Sequence, residues 1–180
     1  MPIQKTKTDY PITLSKAKIH LRVDIDYTND DAYIQTLIKA ATRQSENYIG
    51  KDLALTSNVS SIFDFSGDTI RINEGNFVSV ENVITDTSTL VTVNTTKIYD
   101  NSFVLLLNEQ VNSTTEYEPL QVEFTTGYTD QTVPEEIAQA ILIKIGNMYD
   151  IDREDGGKEK KEPIDFASNS LLNAHKIILW

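Results

Sequence analysis

The residues best suited to chemistry are two acidic runs and two histidines. Asp24-x-Asp26-x-Thr28-x-Asp30 has the oxygen spacing of a calcium loop. Such a loop needs glycine at its sixth position and a bidentate glutamate at its twelfth, and counted from Asp24 those positions hold Asn29 and Gln35. Asp150-x-Asp152-x-Glu154 fails in the same way, with Lys161 at the twelfth position. Both runs read better as solvated acidic connections than as metal loops. His20 and His175 are the only histidines. Neither stands in an HExxH pattern, and no GxSxG nucleophile elbow accompanies them. The seven glycines form neither GxGxxG nor GxxxxGK. There is no cysteine, hence no thiolate ligand, no thiol nucleophile and no disulfide. The expectation is a protein without catalytic residues, cofactor or metal. A small hydrolase built on carboxylates would need a paired set in a cleft, and nothing in the spacing marks one. Trp180 and the tyrosines could stack on nucleobases, but no basic patch is interleaved with them.

The elements that position these residues fall into three stretches. At 180 residues, 39% hydrophobic and 24% charged, the chain fits one domain with an insertion and has enough apolar content for a core without staples. A net charge of −11 argues against a sequence-specific DNA reader, which neutralises phosphates with lysine and arginine. Such a balance suits solubility, and it also suits a passage through which DNA slides. The opening MPIQKTKTDYPITL lacks the apolar core of a signal peptide, and no run approaches a membrane span. A cytosolic protein or a part of a soluble assembly is the simplest reading.

The most legible helix is Asn29–Gly50. Ile34, Leu37, Ile38, Ala41, Ser45 and Tyr48 recur at three- and four-residue steps and form one apolar face. Thr28 or Asn29 can cap it, Asp30 and Asp31 suit its positive end, and Gly50 can end it. Before it, residues 1–12 read as extended, and Thr13 caps a short helix over Leu14–Leu21 with Leu14, Ala17 and Leu21 inward. Lys16, Lys18 and His20 are placed on other faces. From 52 to 128 helical periodicity gives way to short strands: Asn58–Phe65, Thr69–Ile72, Ser79–Thr85, Leu90–Val93, Lys97–Tyr99, Phe103–Leu107 and Leu120–Thr126. Ser66-Gly67-Asp68 and Asp100-Asn101-Ser102 read as tight turns, Glu74-Gly75-Asn76 and Asn112–Glu118 as looser loops. Helix returns at Val133-Pro134-Glu135-Glu136-Ile137, with Thr132 as cap and Ile137, Ala140, Ile141, Lys144, Ile145 and Met148 at helical spacing. Residues 150–163 read as a charged loop. A short helix follows over Phe166–His175, and the chain ends on the apolar Ile177-Ile178-Leu179-Trp180. Such an end is either folded back on the core or docked on another protein. The expected fold class is α+β: a helical core with an inserted antiparallel β subdomain, divided as 1–53, 54–128 and 129–180.

The ordered signals resemble one family. Tyr10-Pro11-Ile12-Thr13-Leu14 through Ala17-Lys18-Ile19-His20-Leu21-Arg22-Val23-Asp24 is similar to the opening of the head–tail connector, or adaptor, proteins of tailed bacteriophages. Asp30–Ile34, Leu37–Ala41 and Glu46–Leu53 resemble that family's next helix and exit. Val122–Tyr128 resembles its "tGy" strand, Val133–Ile137 with Ala140-Ile141 its late helix, and Leu171–Lys176 its closing motif. Ala174 and Lys176 stand where the family closes with proline and arginine.

The resemblance implies a structural virion protein at the head–tail junction, assembled in the host cytoplasm. It implies a homo-oligomeric ring of about twelve subunits below the portal protein, extending the channel for genomic DNA and offering a platform to a stopper or tail-completion protein. No membrane partner is implied. Head-closure (stopper) and tail-completion proteins of the same assembly are the neighbouring readings, and a non-viral protein-binding module is the distant one. On this reading Leu171, Leu172, Ile177, Ile178, Leu179 and Trp180 are the expected portal-docking segment. Ile34, Leu37, Ile38, Ala41, Tyr48, Ile137, Ile141 and Ile145 are the expected subunit core and interface.

Overall fold

In a computed structural model the described residues are 2–85, 89–113, 119–151 and 165–177. The fold is α+β. It divides into two compact units: residues 1–9 with 54–127, and residues 10–53 with 128–180.

The first unit is all β. Its strands are β1 (Ile3–Asp9), β2 (Leu55–Ile62), β3 (Phe65–Ile72), β4 (Phe77–Ile84), β5 (Val93–Ile98), β6 (Phe103–Ser113) and β7 (Leu120–Thr126). They form an antiparallel sheet of order β1-β2-β7-β4 and another of order β3-β6-β5. The buried face of β7 carries Leu120, Val122 and Phe124 at the period-2 spacing of a half-buried strand. These join Ile70, Ile72, Val83, Phe103 and Leu105 in one core. Phe103 sits at its centre, 4.4 Å from the Phe77 ring and 5.1 Å from Phe124 in an edge-on contact.

Three sequence expectations change here. Residues 1–12 are extended as read, but Ile3–Asp9 belongs to the β unit and not to the helical part, pairing along β2 with a register shift between Lys7 and Asp9. Ser66-Gly67-Asp68 is not a turn but lies inside β3, where Gly67 sits at a bulge. The chain reverses at Phe63-Asp64 instead, with Asp64 at φ 52°. Leu90–Val93 and Lys97–Tyr99 are not two strands: β5 spans the interval between them, and Leu90 makes an isolated bridge to Ile84. Asp100-Asn101-Ser102 does turn the chain, closed by Tyr99 N–H donating to the Ser102 carbonyl at 2.8 Å. Most of the expected Asn112–Glu118 loop lies outside the described residues.

The second unit is helical: α1 (Leu14–Leu21), α2 (Asp31–Ile49), α3 (Glu135–Ile151), α4 (Asp165–Leu172) and a 3-10 turn at Asn173–His175. Thr13 caps α1 as its sequence position suggests, its hydroxyl accepting from Lys16 N–H at 3.2 Å. α2 starts later than expected and has no side-chain cap. Asp30 occupies the cap position, but its carboxylate accepts from the Tyr149 hydroxyl at 2.9 Å. Gly50 ends α2 at φ 80°, its N–H donating to the Glu46 carbonyl. Thr132 does not cap α3, because its hydroxyl accepts from Thr129 N–H at 2.9 Å. Pro134 sits one residue before α3 and its carbonyl takes the Ala138 N–H at 2.9 Å. The stripe of α2 and the broad apolar face of α3 meet in a second core with Ile12, Ala17, Leu53 and Leu172. Residues 152–163 of the expected charged loop lie outside the described residues.

His20 on α1 lies over Gly146 of α3. A Cβ at Gly146 would stand 3.5 Å from His20 Nε2 and 3.9 Å from its Cδ2, an ordinary contact, and its backbone is helical. Gly146→Ala is therefore expected to stabilise the helical unit by about 0.5–1 kcal/mol through helix propensity alone. A lowered thermal midpoint would show that the α1–α3 approach is tighter than this spacing.

Candidate assembly surfaces

Lys18 is the residue that sequence reasoning misplaced. It is 2% exposed, on the same face as Leu14, Ala17 and Leu21. Its Nζ donates to the carbonyls of Ile25 and Tyr27, both at 2.9 Å, and pairs with the Asp31 carboxylate. The acidic run 24–31 thus wraps a cation after all, but the cation is an ammonium group. Two carbonyls and one carboxylate satisfy it, and Asp26 N–H closes a local turn onto Asp24 Oδ1 at 3.1 Å. No cluster of three metal-ligating side chains occurs among the described residues. The arrangement fixes the α1–α2 connection and the start of α2. A signal for it was present, since position 18 is four residues after Leu14 and three before Leu21, which is inward on a helix.

The described part of the C-terminal segment is held to the end of α2. Tyr48 Oη donates to Asn173 Oδ1 at 2.6 Å. The Lys176 ammonium lies 4.6 Å from the Tyr48 ring centroid. Ile177 N–H donates to the Ile49 carbonyl at 2.8 Å. The Ile177 side chain packs over Gly50, 3.6 Å from where a Cβ would be. Of the expected docking residues, Leu172 is fully buried in its own core and offers no surface to a partner. Leu171 and Ile177 are half-buried. Ile178, Leu179 and Trp180 lie outside the described residues.

The expected core and interface residues separate by burial. Ile34, Leu37, Ile38, Ala41, Ile137, Ile141 and Ile145 are all buried within the helical core. They pack inside their own unit, with Leu37 at 7% the most exposed of them. Tyr48 alone of the eight is partly exposed, and it carries the C-terminal contacts above. Apolar side chains at the surface are different ones, among them Ile19, Ile25 and Tyr27 around α1, and Val78, Leu90 and Ile98 in the β unit.

Residues 11–96 match the family described as "Phage gp6-like head-tail connector protein". The matched residues take in α1, α2 and the β unit from β2 into β5, and with them Lys18 and the loop that holds it. No curated protein matches this chain. Among solved structures, a chain of one described as "Neck of empty GTA particle computed with C6 symmetry" has a TM-score of 0.74 at 16% identity, covering 100% of this chain and 97% of that one. A chain of a native gene transfer agent (GTA) virion gives 0.72 at 15% identity, with the same coverage of both chains. A chain of a structure titled "Neck of native GTA particle computed with C12 symmetry" gives 0.70, also at 15% and with the same coverage. At these identities the likeness is one of fold, and it extends over the whole chain, including the residues after 96.

Proposed function

We propose that this chain is the structural adaptor, a head–tail connector, of a phage-like particle: a ring below the portal that prolongs the DNA channel and carries the stopper or tail. The observation that supports this most is the agreement of two independent likenesses. The connector family covers 11–96, and the fold of neck chains from particles with C6 and C12 symmetry covers the full length. The acidic balance has a use on this reading. Carboxylates along a channel repel phosphates and let DNA pass without sticking.

The test is co-sedimentation of the purified protein with the portal ring encoded beside it, followed by electron microscopy. A ring of this chain stacked on the portal is the expected result. A folded protein that leaves an intact portal bare would move the assignment to a stopper or tail-side role. Within this reading the docking segment narrows to Ile178, Leu179 and Trp180, which follow the anchored Ile177. Deleting 178–180 is expected to reduce portal binding at least tenfold with an unchanged circular dichroism spectrum, and full binding by that variant would overturn the docking role. Deleting 171–180 would be a poor probe, because it also takes Leu172 from the core.

A further inference from the structure

β2 lies between β1 and β7, and its inward row is not apolar. It carries Thr56, Asn58 and Ser60, each 0% exposed. Their direction follows from the register. Opposite them on β7 stand Thr126, Phe124 and Val122, and the last two belong to the core of the β unit. Burying a polar side chain costs free energy unless its hydrogen bonds are remade inside.

Part of the row is satisfied by the protein. The Thr56 hydroxyl donates to the Ala54 carbonyl at 2.8 Å. The Asn58 amide nitrogen donates to the Thr56 carbonyl at 3.0 Å and to Thr126 Oγ1 at 2.9 Å. The first of these bonds also fixes the orientation of the amide. A backbone carbonyl only accepts, so the atom facing it must be the nitrogen, and the amide oxygen points elsewhere. That oxygen, Asn58 Oδ1, is buried and meets no hydrogen-bond partner among the described residues. Ser60 Oγ, two residues along the same face, is in the same position. The residues opposite do not serve them. Phe124 and Val122 have no polar side-chain atom. On the β1 side Ile3 stands opposite Ser60, and Lys5, opposite Asn58, turns its ammonium to Glu74 at 2.9 Å.

We propose that Asn58 and Ser60 form a binding site for one internal water, which bridges Asn58 Oδ1 and Ser60 Oγ inside the β unit. Water matches the chemistry of both ends. Asn58 Oδ1 only accepts, so the bridging molecule must donate to it. The Ser60 hydroxyl both donates and accepts, so it serves the other side of the same molecule. Alternate residues of a strand stand about 6.5 Å apart along the backbone. Two short side chains from those positions leave a gap that one water closes with two hydrogen bonds. Other ligands fit worse. Neither oxygen is charged, which disfavours a metal cation. Phe124 and Val122 give a larger polar molecule nothing to hold. The inference concerns the β unit alone and is independent of the ring reading. It makes the water part of the core, since it completes the hydrogen bonding of a row that the protein satisfies only in part.

The test is a high-resolution crystal structure of the full chain, with a solution measurement beside it. The expected result is a density peak about 2.6–3.2 Å from both Asn58 Oδ1 and Ser60 Oγ. A peak that touches only one of them would overturn the bridge. So would no peak, with both oxygens bonded to protein groups. In solution, magnetic relaxation dispersion of the water oxygen counts long-lived internal waters. Ser60→Val puts a methyl group in place of the hydroxyl and is expected to lose the contribution of one such water. Ser60→Ala adds no bulk, so it keeps the test open if the valine variant does not fold, and the same loss is expected from it. An unchanged contribution in a folded variant would show that Ser60 holds no water and would overturn the proposal.

Discussion

Gly127→Ala is expected to destabilise the β unit by about 3–5 kcal/mol, enough to leave little soluble protein. Gly127 follows the last residue of β7 and has φ +99°, outside the range that an L side chain tolerates. Space is the larger problem. A Cβ there would stand 2.1 Å from the Ala54 carbonyl oxygen, 2.6 Å from its carbon and 3.0 Å from the Leu55 nitrogen. All three are backbone atoms, so no rotamer change relieves the overlap. The start of β2 would have to leave the end of β7, where Thr56 pairs with Thr126, and the Gly127 N–H would lose its 2.9 Å bond to the Asn76 carbonyl. Gly67→Ala is the natural control. Its φ is +144°, but no atom comes nearer than 4.0 Å, so it carries backbone strain without a clash, about 1–2 kcal/mol. Urea midpoints of the two variants separate the effects. Equal losses would mean that the β2–β7 approach relaxes at little cost.

Lys18→Met should be nearly as damaging to the helical unit. Methionine fills most of the same volume, so the loss isolates the ammonium group and its three oxygen partners. The Ile25 and Tyr27 carbonyls lose their donor, and the Asp31 carboxylate loses its cation while 27% exposed. Removing one member of a buried pair costs about 3–5 kcal/mol, and the partial exposure of Asp31 lowers this to about 2–4. Asp31→Asn should cost less, because the two carbonyls still hold the ammonium. Hydrogen-exchange protection locates the damage, with loss expected first in α1 and the opening turn of α2. A Lys18→Met protein with unchanged protection there would show that packing, not charge, fixes the connection.

The legible parts of this chain were those where one physical signal dominates. α1 and α2 announced themselves through apolar spacing, Thr13 and Gly50 through their end chemistry, and β7 through strict alternation. β1 was illegible because only Ile3 is even half-buried and its other six residues are exposed. It is a strand by virtue of its ladder with β2, a partner distant in sequence. Gly67 was mistaken for a turn residue because a bulge and a turn ask the same of glycine. The α2 cap was misjudged because Asp30 had a tertiary partner, Tyr149, over a hundred residues away. Lys18 was discounted for its charge although its helical position pointed inward. The apolar stripes of α2 and α3 looked equally fit for a core or an interface, and burial within the monomer separates the two.

The chain passes between its units three times, at residues 9–10, 53–54 and 127–128. This sets an order of events during synthesis. α1 and α2 are made early, but α3, which covers their apolar stripe, follows only after the last β strand. At about 5–20 residues per second the β unit is complete some seconds before the helical core can close. Through that interval Ile34, Leu37, Ile38 and Ala41 face the ribosome surface and whatever holds nascent chains there. A ribosome stalled far enough past Tyr128 for β7 to have left the exit tunnel, with α3 still inside it, should therefore display a protease-resistant β unit joined to a cleavable α2.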